Sequence, residues 1–252
     1  MVVNQQHAAM DRVAIQTIDL TKKFEELYAV KRLNISVKAG ELFAFLGPNG
    51  AGKTTTIKLL TGLLRATEGR AIVGGHDIQK EPLQAKRLIG YIPDHPYLYE
   101  KLSGRDFFHF VGDLFEIPRD VQIEKRDFFF KLFDLTPVAD KLIENYSHGM
   151  RQKLVISVSL MHSPAIIIVD EPMVGLDPQS ARTVKNLFLE QARNGVTVFF
   201  STHTLSIAEE LADRIGIIHK GELIFVGTLD EMKQAVKRDG KLEDLFLEIT
   251  AS

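Results

Sequence analysis

The sequence predicts an α/β domain with an α-helical subdomain inserted into it, and three observations support this fold class. Residues 42–46 and 166–169 are apolar at every position, which is typical of central parallel strands that are covered on both faces. Segments with helical character follow both of these strands. Between residues 95 and 162 the chain changes to aromatic-rich amphipathic helix. We therefore expect one domain in which helical segments interrupt an α/β core.

The expected boundaries place the α/β core at residues 1–94 and 163–230 and the inserted helical subdomain at residues 95–162. A C-terminal helical extension is expected at residues 231–252. Short apolar or alternating runs predict further strands within the core. These runs lie at residues 13–20, 33–37, 71–73, 89–92 and 196–201, with a tight hairpin at 215–219 and 223–226.

Capping patterns predict where helices begin. Ser103 and Asp106 form a capping box that opens one helix of the inserted subdomain. Thr136 followed by Pro137 has the pattern of an N-cap with proline at the first helical position. Another helix is expected near residues 178–193, between two buried strands of the core.

Composition favours a soluble globular protein. Of 252 residues, 45% are hydrophobic and 25% are charged, which are ordinary values for such a domain. The longest aliphatic runs are far shorter than the roughly 20 residues that a bilayer crossing needs, so we expect any membrane role to involve a partner. The chain has no cysteine, and its net charge of -2 argues against a bulk nucleic-acid binder. Residues 1–12 lack the pattern of a secretion signal.

A glycine-rich loop lies between the strand at residues 42–46 and the helix that follows it. Its sequence, Gly-Pro-Asn-Gly-Ala-Gly-Lys-Thr-Thr, fits the phosphate-binding pattern G-x-x-x-x-G-K-[ST] without a mismatch. Glycines let successive backbone N–H groups turn inward around a phosphate, and the helix N-terminus adds its positive end. Lys53 is expected to reach the outer phosphates, and the Thr54 hydroxyl to ligate Mg²⁺. The predicted nucleoside triphosphate site comprises Gly47, Pro48, Asn49, Gly50, Ala51, Gly52, Lys53, Thr54 and Thr55.

Two carboxylates follow the buried strand at residues 166–169. Asp170 and Glu171 are therefore expected at the carboxyl edge of the sheet, where α/β proteins bind ligands. Asp170 can hold Mg²⁺, directly or through water. Glu171 is then left to orient and polarise the attacking water as a general base. Beside the glycine-rich loop, this pair predicts hydrolysis of the bound triphosphate.

With Gly-Leu-Asp-Pro at residues 175–178 and Ser-Thr-His at residues 201–203, these motifs make the chain resemble the ATP-binding subunit of an ABC transporter over nearly its whole length. The resemblance implies a P-loop NTPase (RecA-like) core with an N-terminal antiparallel β subdomain. It also implies an ATPase whose cofactors are ATP and Mg²⁺. His203 corresponds to the histidine that contacts the γ-phosphate in this family, and Asp177 to an acid that crosses the dimer interface.

A signature segment precedes the acidic strand in this family and usually reads Leu-Ser-Gly-Gly-Gln. The matching residues are Tyr146, Ser147, His148, Gly149 and Met150, so the serine and the second glycine are retained while the other three positions depart. The serine hydroxyl and the N-terminus of the following helix can still donate to a γ-phosphate. The resemblance implies a head-to-tail dimer, in which the signature segment of one subunit closes on ATP held by the glycine-rich loop of the other.

The same resemblance assigns two further positions. An aromatic side chain ahead of the second strand stacks on adenine in the family; Phe24 fits this role by its distance from the loop, and Tyr28 is the alternative. Asp94 stands where the family usually has a glutamine that reaches Mg²⁺ and links the nucleotide to the transmembrane partner. The aromatic residues between 97 and 110 fit either a groove for a short helix of that partner or subdomain core.

The resemblance thus implies a peripheral subunit at the cytoplasmic face of the cell membrane. Its expected partners are a transmembrane permease and a second ATP-binding subunit, identical or different, and no nucleic acid. The stretches Tyr-Ser-His-Gly-Met and Pro-Asp-His-Pro most resemble bacterial ABC-2-type exporters of the Ecs-like kind, which favours export. Two alternatives stay open: a non-transport ABC ATPase, and a nucleotide-sensing subunit that barely hydrolyses ATP, which the departures at Asp94, His148 and Met150 motivate.

Overall fold

The computed structural model describes residues 12–236, in which eleven β-strands and eight α-helices follow one another. The strands are β1 (Val13–Phe24), β2 (Leu27–Leu33), β3 (Ser36–Lys38), β4 (Leu42–Leu46), β5 (Glu68–Val73), β6 (His76–Asp77), β7 (Ile89–Ile92), β8 (Ile166–Asp170), β9 (Thr197–Thr202), β10 (Arg214–His219) and β11 (Glu222–Gly227). The helices are α1 (Lys53–Leu60), α2 (Pro82–Arg87), α3 (Gly104–Leu114), α4 (Arg119–Leu132), α5 (His148–Leu160), α6 (Pro178–Arg193), α7 (Leu205–Leu211) and α8 (Leu229–Val236). The expected C-terminal extension lies outside the described residues beyond position 236.

The main sheet contains six strands in the order β11-β10-β4-β9-β8-β7. Neighbouring strands of this sheet are parallel except in the β10–β11 hairpin. β4 is buried at every position because its two faces enter separate cores. Leu42, Ala44 and Leu46 pack with the helical region, whereas Phe43 and Phe45 pack with the second sheet and α1. This double coverage is the physical reason for the uninterrupted apolar run in the sequence.

The second sheet is antiparallel and is organised around the long strand β1. Its order is β2-β1-β5-β6, and β3 also pairs with β1. It packs over the face of the main sheet that carries Phe43 and Phe45. A parallel core sheet, an antiparallel β subdomain and a helical region together confirm the predicted fold class.

Helices α3, α4 and α5 form the helical region between β7 and β8. Ser103 is the N-cap of α3: its Oγ accepts a hydrogen bond from the Asp106 N–H at 3.0 Å and donates one to Asp106 Oδ2 at 2.6 Å. Aromatic rings fill the interior, where Phe108 meets Phe130 edge-to-face with centroids 5.6 Å apart. The region is therefore joined to the main core by apolar packing and begins at a strong local cap.

The expectation of one strand over residues 33–37 is wrong. The structure breaks this stretch into the end of β2 and the start of β3. Asn34 lies at the break, where its side chain accepts a hydrogen bond from the Asp19 N–H at 2.9 Å and donates one to the Arg32 carbonyl at 3.0 Å. The alternating apolar residues of the stretch are nevertheless buried. The pattern thus identified the buried side but not the turn that asparagine stabilises.

The helix expected to start at Thr136 and Pro137 is also wrong, because Thr136–Val138 forms a single 3₁₀ turn. The carbonyl groups that would continue an α-helix are bound elsewhere. The Tyr146 hydroxyl donates to the Val138 carbonyl at 2.7 Å, and the Arg105 N–H donates to that of Ala139 at 2.9 Å. Tertiary hydrogen bonds therefore end the turn where local sequence favoured a helix.

Candidate functional site

A cavity of about 660 Å³ lies where the parallel strands of the main sheet reach their carboxyl ends. The loops after β4, β7, β8 and β9 each supply part of its wall, because the carboxyl ends of parallel strands meet at one edge. β2, the first turn of α1 and the turn between β10 and β11 contribute the rest. The lining residues are Leu27, Tyr28, Ala29, Asn49, Gly50, Gly52, Lys53, Thr54, Thr55, Asp94, His95, Glu171, Val174, His203 and Lys220.

The glycine-rich loop fits closely against the strands beside it. A Cβ at Gly47 would collide with the Ile218 carbonyl oxygen, and one at Gly52 with that of Ala29. Gly52 also has a φ of 113°, which other residues rarely adopt. Gly50, at a φ of 79°, has open space on its Cβ side. The loop therefore packs one side on the sheets and leaves the other side free for a ligand.

Lys53 is the first residue of α1 and is 7% exposed. Its Nζ donates hydrogen bonds to the carbonyl oxygens of Gly47 at 2.7 Å and Pro48 at 3.1 Å. Burial lowers the pKa of Lys53, and the negative charges of Glu171 and Asp170 oppose that shift. The ammonium group is thus held inside the curve of the loop, with two carboxylates close enough to affect its charge.

Asp170 is the last residue of β8 and is 2% exposed. In the parallel register it lies opposite Ser201 of β9, whose hydroxyl donates a hydrogen bond to Asp170 Oδ1. Glu171 follows with a φ of 53°, an uncommon conformation for a residue other than glycine. This turn at the strand end carries the Glu171 side chain into the cavity.

His203 follows β9 and contacts Glu171 twice. Its Nδ1 lies 2.8 Å from Glu171 Oε1, and its backbone N–H donates to the same oxygen at 3.1 Å. The Glu171 side chain is 15% exposed, whereas that of His203 is 54% exposed. The two contacts fix a largely buried carboxylate on the cavity wall. A carboxylate and an imidazole so placed can orient a water molecule and accept its proton.

Asp94 follows β7 and lines the same cavity, together with His95. Asp94 Oδ2 lies 2.8 Å from His95 Nδ1, and the imidazole is mostly exposed. The side chain predicted to replace the glutamine of the family is therefore at the cavity wall, although its nearest charged partner is its own neighbour in sequence.

The two aromatic candidates for adenine stacking are placed differently. Tyr28, on β2, lines the cavity, whereas Phe24 at the end of β1 is not one of its lining residues. Each ring has a lysine over its face: Lys22 Nζ lies 4.9 Å from the Phe24 centroid and Lys23 Nζ lies 5.3 Å from that of Tyr28. The geometry thus favours Tyr28, the alternative, over Phe24.

The signature segment, residues 146–150, lies at the N-terminus of α5, and none of its residues lines this cavity. Ser147 is the N-cap, and its Oγ accepts a hydrogen bond from the Met150 N–H at 3.2 Å. His148 packs against Gly175, in the loop after β8, so closely that a Cβ there would collide with the imidazole. The glycine-rich loop therefore contributes to the cavity wall, whereas the signature segment does not.

Asp177 is the N-cap of α6. Hydrogen bonds from the Ser180 hydroxyl and backbone N–H lower the pKa of Asp177 to about 2, and Lys153 at 3.5 Å adds to the effect. Lys153 belongs to α5. The ion pair therefore joins the helix of the signature segment to the loop that follows β8.

Residues 30–174, more than half of the chain, match the sequence model of the family described as ABC transporter. The chain belongs to the ABC transporter family. It is 38% identical over 228 residues to an uncharacterized ABC transporter ATP-binding protein of Nostoc sp., covering 86% of this chain and 67% of that protein.

Two relatives of this ABC protein carry more specific names. The linearmycin resistance ATP-binding protein LnrL of Bacillus subtilis is 36% identical over 218 residues, which are 86% of this chain and 70% of LnrL. The bacitracin transport ATP-binding protein BcrA of Bacillus licheniformis is 37% identical over 222 residues, 87% of this chain and 71% of BcrA. A solved structure described as the ATP binding subunit of an ABC transporter superimposes with a TM-score of 0.90 at 29% identity, covering 94% of this chain and 99% of that one.

Membership confirms the resemblance drawn from the motifs and, with it, an ATP-binding subunit and an ATPase, since ABC ATP-binding domains are ATPases. The roles of individual residues of this ABC protein stay predictions. Within residues 12–236, no helix combines the length and the apolar character needed to cross a membrane.

Sequence reasoning missed several residues of the site, and Ser201 and Lys220 illustrate two reasons for this. Ser201 was read only as part of the Ser-Thr-His motif, yet its hydroxyl binds Asp170. Its signal is positional: aligning the ends of the two parallel strands would have put it opposite the acid. Lys220 was read as a turn residue, yet it lines the cavity from the β10–β11 turn, with a φ of 47°. Nothing in the local sequence points to that role.

Proposed function

We propose that this ABC ATPase powers a separate transmembrane permease, with export as the direction, through ATP-driven head-to-tail dimerisation. The observation that carries the proposal is the separation of two half-sites on one chain. The cavity brings together Lys53, Glu171 and His203, whereas Ser147 lies outside its lining. A second subunit related head to tail would present its Ser147 to this cavity and complete it. Export is supported by the names of two relatives, which refer to resistance and to transport.

In this proposal, ATP binding replaces hydrogen bonds within the glycine-rich loop by hydrogen bonds to phosphate. The Lys53 ammonium leaves the carbonyl oxygens it now binds for the outer phosphate oxygens, which carry full charge and bind it more strongly. The N-terminus of α1 and backbone N–H groups of the glycine-rich loop donate to the same phosphates. Tyr28 stacks on adenine from the opposite wall of the cavity.

The donors in the cavity fit Mg²⁺ bound with the nucleotide. The Thr54 hydroxyl and the Asp94 carboxylate line the cavity and are hard oxygen ligands, which this ion prefers. The Asp170 carboxylate is a third such ligand; it is 2% exposed and is not one of the lining residues. Among the described residues no three acidic or histidine side chains cluster as an independent metal site. That agrees with an ion held by few protein oxygens and by phosphates. When bound, the ion neutralises charge that develops on the phosphates during transfer.

Hydrolysis uses the contact between Glu171 and His203. Glu171 accepts a proton from a water molecule as the water oxygen attacks the γ-phosphorus. The bond between the γ-phosphorus and the bridging β-phosphate oxygen breaks, which gives ADP and phosphate. His203 keeps the carboxylate aimed and can itself donate to a γ-phosphate oxygen once it rotates from Glu171. Ser201 holds Asp170 beside them.

A second cavity, of about 270 Å³, supports docking of a permease helix. It lies between the core and helices α3 and α5, and its walls are mostly apolar. His162 stacks on Phe115 there, with ring centroids 4.0 Å apart. The Nε2 of His162 lies 3.1 Å from the Ile89 carbonyl, and its Nδ1 is buried with no hydrogen-bond partner among the described residues. Burial lowers the pKa of His162, so the neutral ring offers Nδ1 as an acceptor to a donor on the docking helix.

In this proposal the protein is a peripheral subunit on the cytoplasmic face of the membrane, and residues 95–162 form the subdomain that contacts the permease. Tyr97, 88% exposed, and Tyr99, 61% exposed, add exposed aromatic surface to that subdomain. Co-purification of a polytopic protein from detergent-solubilised membranes tests this partner. In the same proposal, residues 1–94 and 163–230 form the core that binds the nucleotide.

The decisive test of the dimer is Glu171→Gln. The amide keeps the shape of the side chain but is a poor base, so turnover falls by about 100-fold or more while ATP still binds. Trapped ATP then holds two subunits together, which light scattering on a size-exclusion column detects as a doubled mass with Mg-ATP. Glu116→Gln, an exposed substitution of the same kind, serves as the control and stays monomeric. A Glu171→Gln protein that is monomeric at saturating Mg-ATP contradicts the homodimer, and negligible turnover by the unaltered protein would favour the nucleotide-sensing alternative.

A further inference from the structure

One irregular segment reaches both half-sites of the chain. Residues 93–102, here called the connecting segment, run from the end of β7 to the N-cap of α3. Near its start, Asp94 lines the nucleotide cavity. Near its end, Glu100 accepts a hydrogen bond from Arg151 in the first turn of α5, at 2.6 Å. The segment therefore connects a wall of the cavity to the helix that carries the signature.

The Arg151 guanidinium holds three acceptors at once. Besides the Glu100 carboxylate, its Nε donates to the Tyr146 carbonyl at 3.3 Å and its Nη2 to the Glu144 carbonyl at 3.2 Å. Tyr146 directly precedes Ser147. Because the guanidinium is planar and its donors are rigidly spaced, a shift of one acceptor moves the others or breaks their bonds.

Backbone contacts strengthen the same connection. The Glu144 N–H donates to the Glu100 carbonyl at 3.1 Å, and the Ile143 N–H donates to that of Leu102 at 2.9 Å. The end of the connecting segment and the residues before the signature thus move as one body. The Glu100–Arg151 ion pair extends that body to α5 itself, although both side chains are partly exposed and contribute little to folding.

We propose that Arg151 is a positioning residue, which transmits the position of Asp94 in the subunit's own cavity to Ser147, the group aimed at the partner's nucleotide. The proposal rests on the ATP-driven dimer proposed above. When nucleotide and metal draw Asp94 toward them, the connecting segment shifts Glu100, Arg151 follows, and the carbonyl before Ser147 moves with it. Each subunit then presents a correctly aimed signature only when its own cavity is filled.

The test uses Glu171→Gln as the parent and Glu100→Gln as the variant, which removes the charge but leaves Arg151 and its carbonyl contacts. We expect the ATP concentration for half-maximal dimerisation to rise about tenfold. ATP affinity of the monomer, titrated at a protein concentration too low for dimers, stays unchanged. Glu100→Asp keeps a carboxylate and regains most of the loss. Arg105→Gln, which breaks the Arg105–Asp140 ion pair elsewhere in the helical region, leaves dimerisation as in the parent.

A double-mutant cycle separates transmission from simple stability. Asp94→Ala alone should also weaken dimerisation. In the presence of Glu100→Gln we expect Asp94→Ala to weaken dimerisation little further, because both changes interrupt one path. In the presence of Arg105→Gln, the effects of the two substitutions on dimerisation should multiply, as for independent sites. Unaltered dimerisation of Glu100→Gln, or effects of Asp94→Ala and Glu100→Gln that multiply, would overturn the role of Arg151. A parent that never dimerises would instead overturn the dimer, and this role with it.

Discussion

The two surfaces that carry the motifs are built in different ways. The cavity surface is formed largely by the ends of buried strands and by the glycine-rich loop, where Asp170, Glu171 and Lys53 are held by hydrogen bonds within the chain. The signature surface stands on helix N-termini, where Ser147 and Asp177 cap their own helices and partly exposed ion pairs provide the other contacts. The groups predicted to act in hydrolysis are thus preorganised in one chain. The groups proposed to act across a dimer are held by weaker contacts, which a partner or a bound nucleotide can rearrange.

The largest expected effect comes from breaking the cavity surface at Lys53. Lys53→Ala removes the charge that meets the outer phosphates, and we expect ATP affinity to fall by about 3 kcal/mol, or roughly 100-fold. The fold should persist, because the ammonium binds loop carbonyls and no core group. Titration of the purified variant with ATP measures the loss, and thermal unfolding without nucleotide checks the fold.

Lys58→Ala is the matched control for this change. Lys58 is an exposed lysine on the same helix, so its substitution removes an equal charge at a position outside the cavity. It should bind ATP as the unaltered protein does. Equal affinities of the Lys53→Ala and unaltered proteins would remove the glycine-rich loop from nucleotide binding and erase the contrast between the two surfaces.

The next effect concerns Asp94, where the two surfaces are connected. If Asp94 acts through the metal, Asp94→Gln should keep much of the turnover, Asp94→Ala should lose about 10–100-fold, and Asp94→Asn should fall between them. Aspartate offers Mg²⁺ a hard oxygen but is one methylene shorter than glutamine, so a water molecule would bridge the difference. Steady-state turnover as a function of Mg²⁺ concentration measures the three variants.

A purely local role for Asp94 predicts a different order of turnover among the three variants. Its side chain contacts His95 in the turn after β7, and a turn-capping role is served by asparagine as well as by aspartate. In that case Asp94→Asn would match the unaltered protein and Asp94→Gln would be no better than Asp94→Ala. Equal turnover of Asp94→Ala and the unaltered protein would exclude Asp94 from the active site.

The sequence predicted which side chains come together at the cavity, for a physical reason. Its motifs are short and sit at the ends of strands whose apolar runs show their double coverage, as in β4 and β8. Strand order then brings Lys53, Glu171 and His203 together without further information. The antiparallel sheet was harder, because the turn at Asn34 depends on a bond to Asp19, fifteen residues away.

Contacts between distant side chains could not be read from local pattern. The Glu100–Arg151 pair spans 51 residues, and neither residue belongs to a recognised motif position. The choice between Phe24 and Tyr28 likewise depended on the path of the β1–β2 turn and not on residue type, since either ring can stack on a base. These features depend on tertiary placement, which periodicity and capping rules do not encode.

The smallest effect, and the sharpest comparison, uses two serines that make the same capping hydrogen bond, although Ser103 also donates one to Asp106 Oδ2. Ser147 and Ser103 are both N-caps whose Oγ accepts a hydrogen bond from a backbone N–H three residues on, at 3.2 Å and 3.0 Å. Replacing either by alanine should lower the free energy of unfolding by about 1 kcal/mol, because each leaves one helix N–H without its partner. Urea unfolding of the nucleotide-free proteins measures that loss.

ATP-dependent dimerisation should distinguish the two substitutions. In the Glu171→Gln background, Ser147→Ala also removes a donor proposed to reach the γ-phosphate of the partner's ATP, so we expect about tenfold more ATP to be needed for half-maximal dimerisation. Ser103→Ala, which costs similar stability in the neighbouring helix, should dimerise as the parent does. If both variants shift dimerisation equally, the serine of the signature segment acts only as a helix cap, and the two surfaces would differ in construction but not in function.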